Sequence, residues 1–278
     1  QFKACSPVGP RQWADYGAAK DWANRVRANH SPDVKRFLLS DEMLTNINKL
    51  NNRPLIPFLK RFSNEFWTDG KVKVVLVLRN YAERMASGYA QVASTNPFAS
   101  QSNFEHHMMG ILQKNKARDY GLWVTELYEV LGKENVCVLL MEEIGQQQFW
   151  QQLKSFCELE YFQPDTMLSN TKNSKRKGQD TWRILPFDPA KKAKTMARNI
   201  FGFAWPHRLA PQQRGRALEG AISKLTGYYA HKYQQVNHSR EQEVQLHTAL
   251  RSTIQMHYQQ STARLSDLLG KDMAALGY

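Results

Sequence analysis

Apolar residues along the chain follow two different periods. Val72, Val74, Val75, Leu76, Val77 and Leu78 form an almost continuous run after the Asp69-Gly70 turn, which predicts a strand buried on both faces. A second run, Asn135 to Met141, predicts another strand. Between them Tyr81 to Val92 reads as a helix, and residues 118–131 place Tyr120, Trp123, Val124, Leu127 and Leu131 on one helical stripe that stops at Gly132. Upstream, residues 11–29 carry Trp13, Ala19, Trp22 and Val26 at helical spacing. The breaker Asn29-His30-Ser31-Pro32 then leads to a short candidate strand, Phe37-Leu38-Leu39. Pro54 and Pro57 suit a first helical turn leading to Phe58, Leu59, Phe62 and Phe66. Near the end, Leu246, Leu250, Ile254 and Tyr258 recur every four residues and predict a helical C-terminal region. Buried strands separated by helices predict the α/β class: a parallel sheet flanked by helices, with ligand chemistry at the carboxyl ends of the strands.

Composition narrows the classes. The 278 residues are 42% hydrophobic and 11% aromatic, enough to fill a core, which excludes a disordered chain. Lys and Arg number 38 against 25 Asp and Glu, a net +13 that favours a polyanionic partner such as a nucleotide, nucleic acid, sulfated glycan or anionic membrane surface. No apolar run approaches the ~18 residues that span a bilayer, so no membrane span is expected. Cys5, Cys137 and Cys157 lack the number and spacing of a disulfide framework or a zinc site, which points to a reducing, cytoplasmic setting.

The chemistry concentrates after the first buried strand. Arg79 stands at its carboxyl end and Ser87 eight residues on, in the following helix, where guanidinium and hydroxyl could clamp one phosphate. The alternative is an Arg79 that pairs with a nearby carboxylate and a Ser87 that is an ordinary helix residue. A second basic feature spans residues 171–194, with eight basic residues and two acidic ones. Its Lys172-Asn173-Ser174-Lys175-Arg176-Lys177-Gly178 run is either a loop closing over a polyanion or a solvated basic loop. Glu42, just after the candidate strand Phe37–Leu39, is the leading general base or acceptor-binding residue, or else charges the first turn of a helix beginning near Asp41. His30, His106 and His107 are the other acid-base candidates. Adjacent His106 and His107 point in different directions on a helix, and no third ligand stands at useful spacing, so no metal is expected.

The strand-Arg-Asn-x-x-x-Arg-x-x-Ser-x-Tyr pattern, carried by Arg79, Asn80, Arg84, Ser87 and Tyr89, resembles the 3′-phosphate-binding segment of the sulfotransferases that use 3′-phosphoadenosine 5′-phosphosulfate (PAPS). Tyr81 stands where that family usually has proline. Arg176-Lys177-Gly178 resembles the family's second 3′-phosphate contact, and Glu42 sits where related sequences often place Ser-Ser-Glu. Tyr120 to Glu143 resembles the family's helix and strand ending in an acidic residue, Phe149 to Leu159 resembles the next helix, and Arg264-Leu265 to Leu268-Leu269-Gly270-Lys271-Asp272 resembles the closing helix of many bacterial members, so the likeness covers roughly residues 35–278. No segment matches the Lys-x-Gly-Thr-Thr-like loop that holds the 5′-phosphosulfate; Ser6-Pro7-Val8-Gly9-Pro10 lacks its lysine and hydroxyl pair. The resemblance therefore implies one domain over 1–278 without its first strand and 5′-phosphosulfate loop, which lie upstream of Gln1 or are absent, and a basic loop at 171–194 within it. It further implies PAPS as co-substrate and no metal. The sulfuryl acceptor would be a hydroxyl or amine on a carbohydrate, lipid or small metabolite, and no nucleic acid would be a partner. Two rivals stay open: a P-loop kinase or NTPase, although no Gly-x-x-x-x-Gly-Lys-Ser/Thr occurs, and a non-catalytic basic module that binds polyanions.

Overall fold

The computed structural model of the chain describes residues 2–5, 36–39, 72–114, 119–160, 180–204, 211–233 and 241–278, with isolated Asn24, Ala28, Leu59 and Asn64. It is mostly helical, and the described strands form three two-stranded sheets, two parallel and one antiparallel. The strands are β1 (Phe2–Cys5), β2 (Arg36–Leu39), β3 (Val74–Leu78), β4 (Val136–Leu140), β5 (Thr181–Arg183) and β6 (Glu243–Gln245). The helices are α1 (Tyr81–Val92), α2 (Gln101–Lys114), α3 (Tyr120–Leu131), α4 (Gln147–Phe156), α5 (Pro189–Ala204), α6 (Pro211–Lys232), α7 (Thr248–His257) and α8 (Gln259–Leu269). None of them is long and apolar enough to cross a membrane. The chain divides into two compact units, Gln1–Leu78 with Lys116–Gln163 and Ser261–Lys271, and Arg79–Asn115 with Pro164–Gln260 and Asp272–Tyr278.

The first unit holds both parallel pairs. β1 pairs with β2 from Phe2↔Arg36 to Cys5↔Leu39, and β3 pairs with β4 from Val74↔Val136 to Leu78↔Leu140. The strand at Phe2–Cys5 has no signature in the hydrophobic pattern, because four residues are too few to show a period. β3 also departs from expectation. Val77 is 48% exposed, whereas every residue of β4 is buried. Both α3 and α4 pack on β4, which explains the difference. Cys137 and Leu139 of β4 meet Phe149 of α4, with Val75, Ile144, Trp150, Leu153 and Phe156 around them, and the Trp150 indole N–H donates to the Ile144 carbonyl at 2.8 Å.

α3 starts where expected because Asp119 caps it, its Oδ1 accepting from the Leu122 N–H at 2.8 Å. Gly132, at φ +83°, ends it in a conformation that L side chains rarely adopt. Gly121 lets α8 approach: its N–H donates to Ser261 Oγ at 2.9 Å, and a Cβ there would lie 2.7 Å from the Ser261 carbonyl oxygen. Lys271, just past α8, places its Nζ 2.7 Å from both carboxylate oxygens of Glu143, which follows β4.

The second unit is built on α1. Ala82, Ala86 and Ala90 are fully buried, and Tyr81, Met85 and Tyr89 add bulk to the hidden side. α1 packs against α2, α7 and β5. Tyr81 stacks on Tyr258 with ring centroids 3.8 Å apart and meets Tyr278 edge-on at 6.2 Å, so an aromatic anchor occupies the position where the resembled family has proline.

Two segments differ from the expected loop and helix. Residues 180–194 are not one continuous loop: Thr181–Arg183 pairs antiparallel with Glu243–Gln245 around the buried Trp182, and after the irregular stretch 184–188 Asp188 caps α5, its Oδ1 accepting from the Lys191 N–H at 2.9 Å. Lys191 also reaches Ser94 Oγ at 2.7 Å. In the C-terminal apolar repeat, Leu246 is not helical. Its N–H donates to the Asp180 carbonyl at 2.8 Å, extending the β5–β6 pairing, and the helix begins only at Thr248.

Candidate functional site

The second unit brings the arginine-serine segment together with residues far away in sequence. Asn80 caps α1, its Oδ1 accepting from the Glu83 N–H at 2.8 Å, so the first turn is fixed from within the motif itself. The same turn holds Arg79 next to Glu83. Arg79 Nη2 donates to Glu83 Oε2 at 3.0 Å, the carboxylate pairing that was the alternative to a phosphate clamp.

Ser87 lies four residues beyond Glu83, one turn further along α1, whereas Arg79 precedes the Asn80 cap and reaches Glu83 from outside the helix. Ser87 is half-buried, and its hydroxyl makes no hydrogen bond among the described residues. Arg84, also half-buried, donates its backbone N–H to the Asn80 carbonyl at 2.9 Å. Tyr89, the last residue of the pattern, is buried: its hydroxyl donates to Asn103 Oδ1 at 3.0 Å and its ring lies edge-on to Phe104.

Glu83 is only 8% exposed and serves a second arginine from its other oxygen, Arg251 Nη2 donating to Oε1 at 3.4 Å. That same nitrogen donates to Asp180 Oδ1 at 2.7 Å. Two guanidiniums thus converge on one nearly buried carboxylate, and Asp180 closes the row. The Arg79–Glu83 spacing could have been read as an i,i+4 ion pair. No sequence signal reveals Arg251, 168 positions from Glu83.

Several expected site residues lie outside the described residues: His30, Glu42, Arg176, Lys177 and Gly178. His106 and His107 are exposed on α2, and His107 faces the Tyr89 ring at 5.4 Å. Among the described residues no group of three or more His, Cys, Asp and Glu could hold a metal ion. In the first unit, burial pushes the Cys137 thiol up to about 11, the nearby Cys157 adds to the shift, and a hydrogen bond from Gln152 opposes it. Such a thiol is protonated at neutral pH and is a poor nucleophile.

Searches against protein-family models, curated proteins and solved structures each found no match to this chain.

Proposed function

We propose that the chain binds the 3′-phosphate of an adenine nucleotide at Arg79 and Ser87 and acts as a PAPS-dependent sulfotransferase with a sulfotransferase-type α/β fold. The observation that carries this reading is Arg79, directly after a strand of a parallel pair and bonded to Glu83 in the first turn of α1, with Ser87 one turn further along that helix. The donor set suits a phosphate. Arg79 spends one terminal nitrogen on Glu83, and its Nε and Nη1 make no hydrogen bond among the described residues. The Ser87 hydroxyl is in the same state, and Arg84 adds positive charge one position beyond Glu83. Guanidinium with hydroxyl is a pairing that favours a tetrahedral dianion over a single carboxylate.

Bound PAPS would supply the sulfuryl group. The chain's task would be to orient that group and to accept the proton of the acceptor hydroxyl or amine, a role assigned to Glu42 with His30 as the substitute. The acceptor would be a carbohydrate, lipid or small metabolite.

Calorimetric titration tests the reading. Arg79→Ala should weaken 3′-phosphoadenosine 5′-phosphate by roughly 10- to 150-fold, the equivalent of a charge-assisted hydrogen bond worth about 1.5 to 3 kcal/mol. Adenosine 5′-phosphate, which lacks the 3′-phosphate, should change less than about twofold. Equal losses for both ligands, or no binding by the wild type, would leave Arg79 as the ion-pair partner of Glu83 and nothing more.

A further inference from the structure

Arg251 is the residue of this cluster that no motif announces. It enters from α7, 168 positions from Glu83, yet shares that carboxylate with Arg79. Each guanidinium reaches Glu83 through a single nitrogen, Nη2, and Arg251 uses that same nitrogen for Asp180. The Nε and Nη1 groups of both arginines make no hydrogen bond among the described residues. Both side chains are accessible, Arg79 at 32% and Arg251 at 21%.

A buried carboxylate between two arginines explains why they can sit together at all: without it, two like charges on one face would repel. It also fixes them. With one nitrogen of each fork bonded to Glu83, at 3.0 Å for Arg79 and 3.4 Å for Arg251, the guanidiniums are restrained and their remaining N–H donors stay available to a ligand. Asp180 holds Arg251 from the other side and lies three residues after the basic run 172–177 in sequence.

We propose that Arg251 is a second phosphate-binding arginine, acting with Arg79 on one phosphate monoester, and that Glu83 is the positioning residue that spaces the two. The proposal rests on the nucleotide reading above and adds to it residues that the resemblance does not assign.

Titrations of wild type, Arg79→Ala, Arg251→Ala, Arg251→Lys and the double variant with 3′-phosphoadenosine 5′-phosphate and adenosine 5′-phosphate test it. The quantity to follow is the preference for the first ligand over the second, which a purely structural loss would not move. Arg251→Ala should cut that preference by about tenfold or more. Arg251→Lys keeps a charge for Asp180 but loses the fork, so it should recover stability without recovering the full preference. The double variant should lose less than the product of the single losses, because both arginines grip one group. If Arg79→Ala lowers the preference and both Arg251 variants leave it at the wild-type value, the inference is wrong and the nucleotide reading stands. If the wild type shows no preference for the 3′-phosphate, both fall together.

Discussion

Replacing Glu83 with Gln removes one charge from the centre of the second unit while keeping size and one acceptor oxygen. Two charge-assisted hydrogen bonds are affected, at 3.0 Å to Arg79 and 3.4 Å to Arg251. A hydrogen bond to a charged group is worth about 1.5 to 3 kcal/mol, and the longer of the two belongs at or below the low end. Removing one member of a fully buried pair costs about 3 to 5 kcal/mol because the other charge is stranded. Neither arginine would be stranded here. Their side chains are 32% and 21% exposed, so water can take up part of the loss, and Arg251 keeps Asp180 at 2.7 Å. The expected cost is therefore about 2 to 3 kcal/mol, or roughly 4 to 10 °C in Tm. Urea unfolding followed by tryptophan fluorescence reads it, with a shifted midpoint and an unchanged slope. Because Glu83 is nearly buried, half-molar salt should leave most of the difference in place. A loss below about 0.5 kcal/mol, or one that salt erases, would show that the bridge behaves as an ordinary surface ion pair and does not fix the arginines.

Gly121→Ala should destabilise the protein by about 1 to 2 kcal/mol, because overpacking costs about 1 to 3 kcal/mol and the helix propensity of alanine returns less than about 1. The cause is the backbone carbonyl of Ser261, 2.7 Å from the new Cβ, and a Tm at or above wild type would refute the close approach of α8. Cys137, with its thiol pushed up to about 11, should react with iodoacetamide at pH 8 roughly a hundredfold more slowly than the unfolded chain's cysteines, read by peptide mass mapping. Its folded value lies above the unfolded one, so the stability it protects is complete below about pH 8.5 and declines as pH rises towards about 11. A Cys137→Ser variant that retains the whole alkaline loss would assign that loss to other groups. Lys271→Ala should cost about 1 kcal/mol, since Glu143 loses a partner at 2.7 Å on a half-exposed lysine, and an unchanged urea midpoint would count against the pair.

Elements whose evidence is local were legible in the chain. Tyr81–Val92 forms the expected helix because Asn80 supplies its cap and buried alanines and aromatics recur on one side. The strands at Val74–Leu78 and Val136–Leu140 follow from unbroken apolar runs, and Gly132 marks the end of α3 through its positive φ. What depends on neighbours was not legible. The runs Val-Val-Leu-Val-Leu and Val-Cys-Val-Leu-Leu look alike, yet only the second is buried throughout, because burial is decided by which strand the helices cover. Leu246 keeps the four-residue spacing of a helix and sits beside a strand, since a backbone hydrogen bond to Asp180 outweighs a pattern of one apolar residue per turn. At the candidate site the chain by itself determined that Arg79 follows the buried strand and is followed, four and eight residues on, by Glu83 and Ser87 of the next helix. That Arg251 joins them through Glu83 was decided by the packing of α7 on α1, because two charges so distant in sequence are brought to one carboxylate only by the folded chain.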